Sequence, residues 1–310
     1  MRSSILLTIF SSLITSASCH CKYSFLVDAA SSYTFALSAG NPSFFTTAYV
    51  SPNTTYYTES DQPLDIRTGI LSKPGIKITR RLSIHDTVDC STFTQVISTD
   101  PVHPYVIGTR IVFGNVHHNN NNNNDTKATL IETLATKPGD WLFNATGYAH
   151  WDAQESWDPI PPTESSTDFD SERLKRDSRA VIKAAGDAYF DRFADVNVSV
   201  PFGTPCARLE GGGAYTDTHL SYKQTCDLGL PSNVRVRNRR YVVDETMGAV
   251  AIFVGFPGLD RSAPEVAVPD SHLFRVERGK IRYIHTLSTC VTPGCGLNGT
   301  LSGKTDFAKR

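Results

Sequence analysis

Apolar positions along this chain change their spacing in a fixed order, first helical and then strand-like. Val181, Ala184, Ala185, Ala188 and Tyr189 recur at helical spacing while Lys183, Asp187 and Asp191 fall elsewhere, which predicts an amphipathic helix. β-Branched and aromatic runs follow. Arg239 to Asp244 and Ala249 to Phe256 predict two strands joined through Glu245-Thr246-Met247-Gly248. In the later strand Val250, Ile252, Val254 and Phe256 line one face, and Ala249, Ala251, Phe253 and Gly255 the other. Neither face is polar, so the strand requires cover on both sides, a helix on one and a further layer on the other. His272 to Val276 and Ile281 to His285 predict a hairpin closed by a two-residue turn at Arg278-Gly279. That register pairs Glu277 with Lys280, Val276 with Ile281, Phe274 with Tyr283, and His272 with His285.

The same order occurs earlier in the chain. Arg80-Arg81-Leu82-Ser83-Ile84-His85-Asp86-Thr87 is echoed by Arg239-Arg240-Tyr241-Val242-Val243-Asp244-Glu245-Thr246. Upstream, the run from Ala29 to Phe35 answers the run from Ala184 to Phe190. Downstream, Ala128 to Leu134 answers Ile281 to Leu287. Thr109 to Phe113 and Lys127 to Thr133 predict a matching hairpin, with the Asn119–Asn124 run as its inserted loop. A repeat of this length divides the chain into a first repeat over 20–150, a linker over 151–176, a second repeat over 177–290 and a tail over 291–310. Each repeat reads as α+β. Asp158 to Glu172 is rich in Pro, Ser, Thr and acid and reads as exposed linker, with Asp177 or Ser178 as the cap of the helix that follows.

Composition narrows the function classes. A formal net charge of -1 leaves no basic face to neutralise phosphates, which excludes nucleic acid as a partner. Met1-Arg2, the apolar stretch from Ile5 to Phe10 and the small residues through Ser18 read as a signal peptide over 1–19. Secretion, or residence in the secretory lumen, follows, with no membrane attachment after cleavage. Seven cysteines then become six. Cys206–Cys226 and Cys290–Cys295 are the pairs close in sequence, and Cys21–Cys90 remains by elimination. No Cys-x-x-Cys or His-x-x-x-His spacing points to a metal. Asn-x-Ser/Thr sequons at Asn53, Asn124, Asn144, Asn197 and Asn298 predict a glycoprotein.

The stretches Ala184–Phe190, Val200–Gly211, Arg239–Val254 and His272–Leu287 resemble the ketosteroid isomerase/SnoaL-like superfamily, the cone-shaped fold of nuclear transport factor two. Members typically pair through their sheets, so two tandem repeats resemble a covalent pseudo-dimer. Three longer phrases, Gly139–Tyr148, Arg176–Ile182 and Arg239–Thr246, resemble a secreted fungal family of largely unknown function. Some of its members are similar to the dimerising cyclases of maleidride biosynthesis. The resemblance implies a cofactor-free isomerase or cyclase of secondary metabolism, acting on a polyketide-like small molecule such as a maleic anhydride monomer. A secreted non-catalytic small-molecule-binding protein or effector is the other reading of the same fold.

Such a reaction needs a base beside a carbonyl and a donor for the enolate oxygen. His272 and His285, facing each other at the end of the predicted hairpin, are the first candidates, with Tyr283 as donor. The bland alternative places both histidines at the sheet edge or in the inter-repeat interface, with their hydrogen bonds satisfied. Asp244 is a second candidate base, matched by His85 and Asp86 in the first repeat, against a reading as a solvated turn residue. Arg208 and Glu210 share one strand face and either clamp a substrate carboxylate or anhydride or pair with each other. Trp141, Tyr148, Trp151 and Trp157 crowd the junction between the repeats, as a lid or as packing. The first copy offers Thr109 and Glu132–Thr133 where the second has its histidines, so the second repeat is the expected seat of chemistry. No nucleophile elbow, phosphate loop or dinucleotide fingerprint is present.

Overall fold

A computed structural model describes residues 21–117, 124–160, 176–216, 225–227, 229–260, 263–292 and 294–295. The expected signal peptide, the side chain of the Asn124 sequon, most of the Asn-rich insertion, linker residues 161–175, the Asn298 sequon and the end of the tail lie outside the described residues. The first repeat runs α1 (Tyr23–Ala39), α2 (Ser43–Tyr49), β1 (Tyr56–Glu59), β2 (Gln62–Pro63), β3 (Arg80–Asp86), β4 (Ser91–Ser98), β5 (Tyr105–His117) and β6 (Asn124–Thr136). After α3 (Ala145–Asp152) the second repeat runs α4 (Arg179–Arg192), β7 (Phe202–Glu210), β8 (Ala214–Tyr215), β9 (Arg237–Asp244), β10 (Ala249–Phe256), β11 (Val268–Glu277) and β12 (Lys280–Ser288). The architecture is α+β, and none of these helices is long and apolar enough to cross a membrane.

The repeat is a repeat of topology. The strands form two six-stranded sheets, ordered β2-β1-β6-β5-β4-β3 and β8-β7-β12-β11-β10-β9. In each, the first strand of the repeat lies parallel to the last while the other pairings are antiparallel. The helices correspond as well: α1 buries Leu26, Ala29, Ala30, Tyr33 and Thr34, and α4 buries Ile182, Ala185, Gly186, Tyr189 and Phe190 at the same spacing. This face is turned from the expected one, since Val181 is 40% exposed. Ala185 and Tyr189 of the predicted stripe are buried, but Ile182 and Phe190 take the places expected of Val181, Ala184 and Ala188, because they carry more apolar area. The expected helix cap holds, with the Ser178 side chain accepting from Val181 N–H.

The layers are helix, sheet, sheet, helix. Strand β10 is buried along its whole length, as its two apolar faces require. Val250, Ile252 and Val254 join the core under α4, whereas Ala249, Ala251 and Phe253 join Ile84, Phe93 and Met247 between the sheets. Phe93 and Phe253 meet edge to face at 5.9 Å. Each such fully buried side chain is worth about 1.5–3 kcal/mol.

Two aspartates bind the repeats reciprocally. Asp244 accepts His85 N–H at 2.8 Å, and Asp86 accepts Val243 N–H at 2.9 Å. Their other oxygens close their own turns, Asp244 on Thr246 and Met247 N–H, Asp86 on Val88 and Asp89 N–H. A contact in which each half gives the other what it receives is the signature of an isologous, two-fold interface. Asp244 is therefore neither a solvated turn residue nor a base at a strand end; it is 2% exposed and its oxygens hold backbone. The linker also differs from expectation at its start. Ile160 is buried and donates its N–H to Thr246, so the exposed stretch cannot begin before it.

Candidate functional site

One extra residue decides which side chains share a face. The β11–β12 hairpin turns at Arg278-Gly279, both at positive φ of 55° and 67°, and pairs Glu277 with Lys280 and Val276 with Ile281, as predicted. Beyond that, Arg275 pairs with Tyr283, so Arg282 is an unpaired bulge. The bulge moves every later residue of β12 to the opposite face. His272 pairs with Thr286 and not with His285, which lies opposite Leu273. The first repeat carries the same bulge at Thr129, since Val112 pairs with Leu130 and Phe113 with Ala128.

The two histidines consequently occupy different places. His285 is buried between the sheets, in the bland position that the sequence also allowed. Its Nε2 bonds Glu155 at 2.6 Å, its Nδ1 faces Gln95 Oε1 at 3.2 Å, and Asp152 lies 4.0 Å away. Burial alone would lower its pKa, but Glu155 and Asp152 outweigh that and hold the imidazole above its ordinary value. With both ring nitrogens engaged, His285 is a tether for the connector between the repeats, residues 137–160, not a base. Tyr283 shares this interface, with its hydroxyl taking Ser156 N–H at 3.4 Å and its ring against Trp157.

His272 faces away from the interface into a cavity of about 440 Å³ inside the second repeat. The sheet places it there with Arg208 and Glu210 from β7, Asp270 from β11, Thr286 and Ser288 from β12, and Tyr189 from α4. Asp270 Oδ1 accepts from His272 Nδ1 at 2.7 Å, and its other oxygen accepts from Ser288 Oγ. This fixes the proton on Nδ1 and leaves Nε2 as the basic nitrogen. The ring is packed among Tyr189, Phe190, Phe256 and Phe274.

Beside it, Arg208 donates Nε and Nη2 to a single oxygen of Glu210, at 2.9 and 2.5 Å. The same-face ion pair read from the sequence is therefore made. Burial pushes the Glu210 carboxyl up, but Arg208 and His272 outweigh it and hold the group below its ordinary value. The hydroxyls of Tyr189 and Thr286 lie close enough to bias this pair, yet neither completes a hydrogen bond, and both are buried. Unsatisfied buried hydroxyls in a cavity are poised for a ligand. The rest of the described wall is mostly apolar and includes Phe193, Leu230, Phe256 and Leu259, together with Trp141 and Leu142 from the connector. The Cys206–Cys226 disulfide fastens the segment leading to Leu230 onto β7.

The first repeat has filled the equivalent space. Register puts Tyr57 and Glu59 where the second repeat has Arg208 and Glu210, and Thr109 and Thr133 where it has His272 and Thr286. Glu59 accepts from Tyr57 and from Ile70 N–H, Tyr33 bonds Thr109 at 2.7 Å, and Thr109 bonds Thr133 at 3.1 Å. Ile70, Leu71 and Ile76 complete the core. A larger groove of about 800 Å³ runs along the outer edge of this repeat, but among the described residues its only charged lining, Asp65 and Arg67, pair with each other at the surface.

All three expected disulfides are present, Cys21–Cys90, Cys206–Cys226 and Cys290–Cys295. They are compatible with a secreted protein. Asn53, Asn144 and Asn197 are exposed, as attachment sites must be. Trp141 lines the cavity, whereas Tyr148, Trp151 and Trp157 pack the connector against both sheets. Sequence reading missed Asp270, Tyr189, Thr286 and Ser288. Asp270 carried a signal, since an acid two residues before His272 on an apolar strand shares its face. Among the described residues no group of three His, Cys, Asp or Glu is placed to hold a metal ion.

Residues 175–288 are similar to a family described as a domain of unknown function (DUF8021). Among curated proteins none matches the chain.

Proposed function

We propose that the second repeat is a cofactor-free acid/base enzyme site, an isomerase or cyclase acting on a polyketide-like small molecule. The observation that carries this is the Asp270–His272 pair, 2.7 Å apart, opening into an apolar cavity of about 440 Å³. That volume falls within the range of about 300–1,000 Å³ usual for small-molecule sites. The helix-on-sheet repeat, its pairing through sheets and its inward histidine support the resemblance to the cone-shaped ketosteroid isomerase/SnoaL-like fold. Dimerising cyclases of maleic anhydride monomers remain the nearest chemical reading. The disulfides and sequons support a secreted or secretory-lumen setting.

In this reading His272 Nε2 removes a proton from carbon next to a carbonyl, and Asp270 stabilises the imidazolium that forms. The electron pair moves to the carbonyl oxygen, where Tyr189 O–H and the nearby Arg208 stabilise the enolate. For isomerisation, the imidazolium returns its proton to a different carbon of the same conjugated system. For cyclisation, the enolate carbon bonds to an electron-poor carbon of the second unit, and the imidazolium protonates the enolate that this leaves.

Deuterium uptake from D₂O into apolar ketones and maleic anhydride monomers, followed by mass spectrometry, tests the proposal. Wild type accelerates exchange, and His272→Gln loses about 10²–10⁴-fold of that acceleration. His285→Gln, altered only at the interface, retains it. Equal rates for wild type and His272→Gln would falsify the assignment, and binding without exchange would leave the non-catalytic binding protein.

A further inference from the structure

We infer that this cavity selects an uncharged apolar carbonyl compound over the matching carboxylate, and that Glu210 sets the preference. The inference rests on the proposed use of the same cavity and names its ligand class. A carboxylate is recognised by a cation with hydrogen bonds to give. Among the described residues Arg208 is the cation of the wall, but two of its nitrogens are committed to Glu210, at 2.9 and 2.5 Å. Only 12% and 17% of these two side chains is exposed, so water screens the pair little. Asp270 adds a second negative charge, held by His272 and Ser288. Among the described lining residues the formal charge is negative with His272 neutral and zero with it protonated. With His272 neutral, an entering carboxylate meets this net negative charge at an effective dielectric well below that of water.

The wall holds two hydroxyls without a partner. Tyr189 is fully buried, and its hydroxyl and that of Thr286 have no hydrogen-bond partner. A neutral carbonyl oxygen supplies an acceptor without adding charge. An apolar body then lies against Phe193, Phe256 and Leu259.

Titration calorimetry of the intact, oxidised protein with 4-phenylbutan-2-one and 3-phenylpropanoate tests this. The two probes are close isosteres, differing in a methyl group against a carboxylate oxygen. Wild type binds the ketone, and the carboxylate at least about tenfold more weakly. Glu210→Gln frees Arg208, and the carboxylate becomes the tighter ligand. The double variant Arg208→Gln/Glu210→Gln, with neither charge, again favours the ketone. Carboxylate binding as tight as ketone binding in wild type overturns the inference, as do an unchanged ratio in Glu210→Gln and binding of neither probe. Should Glu210→Gln fail to fold around an unpaired Arg208, the wild-type ratio and the double variant decide. Loss of deuterium exchange with the ketone preference intact removes the catalytic role but keeps the ligand class; a reversed preference with exchange intact does the opposite.

Discussion

Replacing the paired aspartates one at a time tests whether the repeats stand as one unit. Asp244→Asn keeps the shape of the side chain but offers one carbonyl oxygen where two carboxylate oxygens served three N–H groups. Those groups are His85 at 2.8 Å, Thr246 at 2.8 Å and Met247 at 3.1 Å. At least one buried N–H then faces an amide NH₂, which costs about 1–3 kcal/mol. Asp86→Asn loses the matching bonds and also strands Arg179, whose Nη1 donates to Asp86 at 2.6 Å. Breaking a buried ion pair from one side costs about 3–5 kcal/mol, reduced here because Arg179 is partly exposed and also meets Asp89. The expected order is therefore Asp86→Asn below Asp244→Asn below wild type. Burial, aided by Asp86, holds the Asp244 carboxyl above its ordinary 3.8. Ionising it in the fold therefore costs stability as pH rises through that window, and Asp244→Asn flattens this part of the pH profile. Urea unfolding of the oxidised proteins at several pH values, followed by tryptophan fluorescence, gives all three quantities. Losses under about 0.5 kcal/mol for both variants, or Asp244→Asn as the weaker protein, would refute the reciprocal clasp.

Two further outcomes follow from the same geometry. Burial lowers His85 from 6.5 to about 4, so the folded state binds fewer protons than the unfolded one between those values. Stability should fall by roughly 3 kcal/mol as pH drops through that window, and His85→Gln should unfold less steeply in acid; an unchanged acid limb counts against a buried neutral imidazole. Cys206→Ala/Cys226→Ala removes a bridge spanning 20 residues. The chain-entropy model gives a loss of about 3 kcal/mol, and calorimetry should also show weaker ketone binding; unchanged affinity would mean that the bridge does not hold the cavity wall.

Much of the architecture was legible because local periodicity and the repeat agree. A strand apolar on both faces demands two covering layers, and β10 has them. Self-similarity between Arg80–Thr87 and Arg239–Thr246 identifies matching strands, and the sheets carry them in the same order. The disulfides were legible from spacing and elimination. The candidate site was legible in part. Arg208, Glu210 and His272 do share a cavity, and it does belong to the second repeat.

What the sequence could not show turns on a single residue. An alternating pattern carries its phase from one residue to the next, and nothing in Ile281-Arg282-Tyr283 announces that Arg282 drops out of register. That bulge sends His285 and Tyr283 to the interface and leaves His272 with Thr286 in the cavity. The partners of both histidines are just as distant in sequence: Glu155 and Gln95 reach His285 from the connector and the other repeat, and Tyr189 meets His272 from α4. Periodicity by itself determined the elements, the repeat and the need for buried faces, because these depend on neighbours along the chain. Only the tertiary structure decided which histidine faces a cavity and which is locked by carboxylates, because charge, burial and hydrogen bonding are set by groups that packing alone brings together.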